Sequence, residues 1–97
     1  MNFFRKLFGP FYYGIAMAKF TSNHHKEAAK LLENAYKFYP HPDRPEYYYS
    51  CLGRCYLAIE KYDEAYEALQ RSWELNPNYD HEHYLLLQDA RQARAVQ

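Results

Sequence analysis

The chain has 97 residues, enough for one small domain whose core must come from short elements packed on near neighbours. Its 12 basic and 12 acidic side chains cancel, which argues against a nucleic-acid partner held by phosphate contacts. The absence of any run of 18 or more apolar residues argues against a membrane-spanning helix.

The charge is unevenly spread. Residues 1–26 carry Arg5, Lys6, Lys19 and Lys26 with no acid, whereas residues 27–97 carry eight basic and twelve acidic side chains. In residues 1–9 this basic character meets aromatics, with Phe4, Leu7 and Phe8 at three- and four-residue intervals beside Arg5 and Lys6. Two readings stand side by side. The segment could pack on the adjoining helices as an N-terminal cap or pseudo-ligand, since an exposed apolar cluster is an aggregation liability. Alternatively, residues 3–20 could lie on an anionic membrane surface as an amphipathic helix. A secretory signal ending at Ala16-Met17-Ala18 is disfavoured, because Gly9-Pro10 and Tyr12-Tyr13 weaken the apolar segment.

Residues 10–40 read as a first helix pair, with Tyr12, Ile15 and Ala16 on one helix and Ala28, Leu32 and Ala35 on the next. His24 and His25 fall in the turn before a helix starting at Lys26. Residues 41–45, HPDRP, form a proline-stiffened loop. Residues 46–79 hold a second pair, Glu46–Ile59 and Asp63–Leu75, joined by Glu60-Lys61-Tyr62. Pro45 suits a helix start and Pro77 a helix end. Gly53 and Ala65 are small so that two antiparallel helices can approach, with Tyr56 and Leu69 filling the space beside them. Residues 80–97 read as one last helix, about Asp80–Ala95, whose Leu86, Leu87 and Ala90 cover the preceding pair while Arg91 and Arg94 face water.

In residues 46–79, Tyr49, Leu52, Gly53, Tyr56, Ala65, Leu69, Ser72 and Pro77 fall without a gap on the pattern of a tetratricopeptide repeat, which the chain therefore resembles. Only Ser72 departs mildly from the pattern. The same pattern fits upstream, 37 residues earlier, through Tyr12, Ile15, Ala16, Ala28, Leu32, Ala35 and Pro40, with Lys19 in place of the Tyr. The resemblance implies an all-α fold of antiparallel helix pairs stacked as a short superhelical solenoid, two repeats plus a capping helix.

It also implies a function: non-catalytic binding of a protein or peptide segment in the concave groove lined by the first helix of each pair. Carried over position by position, the groove residues are Tyr13, Met17, Phe20 and Thr21 in the first repeat and Tyr47, Ser50, Arg54, Leu57 and Ala58 in the second. Such a surface suits apolar anchors beside an acidic group. The opposing reading buries Met17, Phe20 and Leu57 under the N-terminal segment or a second chain. The clamp used by family members that grip chaperone tails is absent, its places being held by Tyr13, Met17 and Cys51. A full groove usually needs three repeats, so dimerisation would be one way to complete it.

No phosphate loop, serine elbow or clustered carboxylate pair points to catalysis or a cofactor. His24-His25, His81 with His83, and Cys51 with Cys55 are the thin hints of metal. The two cysteines share a helical face where Gly14 and Ala18 stand in the first repeat, which favours packing over ligation. Such a spacing is a poor disulfide framework, so a reducing, cytoplasmic setting is expected. Adaptor, chaperone and inhibitor roles would all look alike at this level, with peripheral membrane or envelope assembly through the N-terminal segment as the alternative.

Overall fold

The computed structural model describes the backbone of residues 3–78 and 81–96, and the side chains of residues 8–78 and 84–96. These residues form helices α1 (Phe3–Thr21), α2 (His25–Phe38), α3 (Pro45–Ala58), α4 (Tyr62–Leu75) and α5 (His81–Val96), with no strand among them. Each helix packs on its neighbour in sequence, most extensively α3 on α4, and the stack measures 44 × 26 × 20 Å. It is an all-α solenoid of the expected kind.

The 37-residue repeat is carried down to single hydrogen bonds. Asn23 and Glu60 both take left-handed backbone angles, φ 62° and 63°, and each ends the first helix of its pair. His24 N–H donates to the Lys19 carbonyl at 3.1 Å, and Lys61 N–H to the Tyr56 carbonyl at 2.9 Å. The second helices also finish alike, on extended residues Tyr39 (φ −148°, ψ 92°) and Asn76 (φ −155°, ψ 91°), just before Pro40 and Pro77. Proline stops each helix because the residue before it is pushed out of the helical region.

The core follows from the small residues. Ala16, Ala28, Leu32, Ala35, Ala65, Leu69 and Ala90 are fully buried along the axis of the stack. At Gly53 an added Cβ would stand 2.6 Å from Cγ of Leu69, so α3 and α4 meet at a distance only glycine allows. Ser72, the mild departure from the pattern, is buried and donates its hydroxyl to the Glu46 carbonyl at 2.6 Å, tying α4 to the first turn of α3.

The two ends of the stack add detail to the expectations. The sequence sets residues 1–9 apart as a segment of their own, but from Phe3 onward they continue without interruption into the first repeat helix, which runs through Pro10. Gly9 is buried under the Tyr39 ring, and this contact anchors that part of the helix. The packing expected of Phe3, Phe4 and Leu7 lies outside the described side chains. On α5, Leu87 and Ala90 are buried as expected, while Arg91 and Arg94, although exposed, also cover the Tyr66 ring, at 6.0 and 4.1 Å from its centre.

Candidate functional site

Of the residues expected to line the groove, Tyr13, Met17 and Tyr47 come together in one cleft of about 140 Å³ between α1 and α3. The remaining wall is the loop before α3, through Pro42, Asp43 and Arg44, with Tyr48 also in the lining. In the sequence this loop reads as a spacer alone. Its contribution is non-local and leaves no periodic trace there.

Tyr13 is 8% exposed and forms the floor. Its hydroxyl donates to the Tyr39 carbonyl at 2.6 Å, and its ring meets Tyr48 edge-on at 5.7 Å. Tyr48 is the hub beneath the cleft. It stacks on Tyr36 at 5.4 Å, meets Tyr49 at 4.9 Å, and donates its hydroxyl to the Leu32 carbonyl at 3.2 Å. Burial, followed by neighbouring phenols, pushes the Tyr13 and Tyr48 hydroxyls well above their ordinary range, so both stay protonated donors. These bonds fix the floor of the cleft, which is rigid rather than adaptable.

Of the residues that line the cleft, Arg44 and Asp43 carry charge. Arg44 sits 5.3 Å above the centre of the Tyr47 ring and lies 3.9 Å from Glu46. Farther along α3, Arg54 is half-buried and places Nε 3.4 Å from the Ser50 hydroxyl. Ser50 itself is 1% exposed, so it lies under the surface that Arg54 presents. Phe20 and Leu57 are half-buried at equivalent places near the ends of α1 and α3, and the His25 ring packs edge-on to Phe20 at 6.2 Å. Sequence reasoning missed Arg44 and Tyr48. The 37-residue offset pairs Tyr48 with Phe11, an aromatic at the same place, and was the available signal.

A space of about 140 Å³ is too small for a drug-sized ligand and fits a single large side chain. The chemistry available is an apolar anchor site with the Arg44 cation and the Asp43 carboxylate at its edge and Arg54 farther along α3. Nucleophilic chemistry is disfavoured at the cysteines, since burial pushes the Cys51 thiol up to about 11 and the Cys55 thiol up to about 12. Both are free thiols packed between helices. Among the described residues no three His, Cys, Asp or Glu side chains converge as a metal site, and no helix is long and apolar enough to cross a membrane. The side chains of His81 and His83 lie outside the described residues.

The tetratricopeptide repeat family model matches residues 19–90, from the last turn of α1 through α2, α3 and α4 into α5. The chain belongs to the tetratricopeptide repeat family. Repeats of this family generally mediate protein–protein interactions and are generally non-catalytic. A search among curated proteins finds no match to this tetratricopeptide repeat chain.

Proposed function

We propose that this tetratricopeptide repeat protein is a recognition module without catalytic activity. It holds an extended or helical partner segment across α1 and α3. One apolar side chain of the partner enters the cleft of Tyr13, Met17 and Tyr47, and an acidic group lies near Arg44 and Arg54. Phe20 and Leu57 extend the apolar surface, while Ser50 supports Arg54 from below. The observation that carries this reading is the cleft itself: residues from two repeats and the connecting loop converge on one anchor-sized space with a rigid aromatic floor. The buried free thiols fit a reducing, cytoplasmic setting. Adaptor, chaperone and inhibitor roles all use such a contact.

The test is affinity capture from native lysate with tagged wild type, Arg54→Ala and Met17→Glu, read by mass spectrometry. A protein recovered by wild type and depleted several-fold with both variants supports the groove. Equal recovery by all three baits removes this face from partner binding.

A further inference from the structure

The 37-residue offset that relates the helix pairs also relates α1 to α3, and the two helices differ in what lies on one face. On α3 that face bears Tyr48, Cys51, Leu52 and Cys55, exposed by only 4, 2, 7 and 0%. The helix packed on α3 from the preceding pair is α2, and Tyr48 of this face stacks on Tyr36 of α2. The equivalent residues of α1 are Phe11, Gly14, Ile15 and Ala18. There Phe11 is 69% and Ile15 46% exposed, with Phe8 at 44% continuing the stripe. Gly14 and Ala18 are exposed as well.

Gly14 is the second observation. A Cβ added there would meet nothing within 4 Å, so no contact among the described residues requires glycine. In mid-helix, glycine costs roughly 0.5–1 kcal/mol relative to alanine. Its use is close approach by something outside the chain, as Gly53 permits inside it. Gly14 and Ala18 together form a shallow notch flanked by the projecting Phe11 and Ile15.

We infer that the open stripe of α1 is the interface of a two-fold dimer, in which α1 of a second copy crosses at Gly14 in antiparallel fashion. The stripe is self-complementary in that arrangement: with the axis between Gly14 and Ile15, Phe11 of each copy falls on the small Ala18 of the other and Ile15 on Gly14. The opposite end of the stack is covered by α5, where the exposed apolar Tyr84, Leu85 and Val96 are interspersed with the exposed polar residues Asp89, Arg91, Gln92 and Arg94. Pairing through α1 is isologous and closes at two copies, so it does not propagate into a fibre. At roughly 150–250 Å² per large apolar ring, the exposed fractions of Phe8, Phe11 and Ile15 amount to on the order of 300 Å² per copy. Two copies thus bring more than half of the roughly 1,000 Å² that a specific interface must clear, before the Gly14 backbone and the flanks of Ala18 are included.

The test is sedimentation equilibrium of the full chain at micromolar concentrations. Wild type is expected at twice the 11.7 kDa chain mass, and F11E/I15E at the mass of one chain with unchanged helical circular dichroism. Gly14→Leu is the second variant. It has room within one chain and fills the notch, so it is expected to fold and to lose dimerisation by at least tenfold. Wild type that remains monomeric overturns the inference, as does a Gly14→Leu protein that pairs as well as wild type. Co-sedimentation of a monomeric wild type with phosphatidylserine-containing vesicles, lost in F11E/I15E, would also overturn it and assign the stripe to lipid.

Discussion

Gly53 and Leu69 are a single contact on which the second helix pair depends. A Cβ at Gly53 would lie 2.6 and 2.8 Å from Cγ and Cδ2 of Leu69 and 3.3 Å from its backbone nitrogen. Leu69 is fully buried, so it has nowhere to retreat. Gly53→Leu is therefore expected to destabilise the fold by at least about 1–3 kcal/mol, the range for overpacking a closed core. An unchanged melting temperature would contradict the helix alignment itself. In the first pair the equivalent residue is Ala16, and in α5 it is Ala90, both fully buried. The small side chain is needed wherever the first helix of a unit meets its neighbours.

Between elements, Ser72 shows how a departure from the repeat pattern can serve the packing. Its fully buried hydroxyl bonds the half-buried Glu46 carbonyl and so joins α4 to the start of α3. Ser72→Ala restores the residue type the pattern prefers and removes the bond. A loss of about 1 kcal/mol is expected in a denaturant melt, typical of one such hydrogen bond; a gain would mean that alanine packing outweighs it. The helices, their turns and the small-residue contacts were legible in the sequence because each depends on intervals of three or four residues. The resemblance to the repeat pattern, rather than the intervals alone, singled out Met17, Tyr47 and Arg54, of which Met17 and Tyr47 share the cleft. What periodicity cannot register is a contact made across the chain. The loop residues Pro42, Asp43 and Arg44 line the cleft through such contacts, and so does Tyr48, which binds the Leu32 carbonyl sixteen positions away. The early start of α1 was obscured by Gly9-Pro10, a pair that usually interrupts a helix. Here Gly9 is instead the place where the Tyr39 ring packs.

For the molecule as a whole, the buried phenols and thiols make stability depend on alkaline pH. In the unfolded chain the thiols lose their protons near pH 8.5 and the phenols near pH 10. The fold holds those of Cys51 and Cys55 to about 11 and about 12, and raises those of Tyr13 and Tyr48 as well. Above about pH 8.5 the unfolded state therefore binds fewer protons than the native one, and stability falls as pH rises. The slope approaches about 1.4 kcal/mol per pH unit for each such group. Thermal melts should be flat from about pH 7 to 8.5 and decline from there to pH 11, beginning with the thiols. A flat profile throughout would mean that these side chains are accessible in the native protein. The agreement of the two helix pairs, down to matched turn angles at Asn23 and Glu60, has a different kind of consequence. Residues that hold the units together recur from one pair to the next, as Leu32 and Leu69 do, or Ala28 and Ala65. Those on the face proposed to bind a partner do not: Met17 answers to Arg54, and Phe20 to Leu57. The repetition gives a scaffold whose architecture and vocabulary can change independently, so that, on the proposed binding face, a new specificity could arise by substitution at one position without renegotiating the helix contacts beneath it.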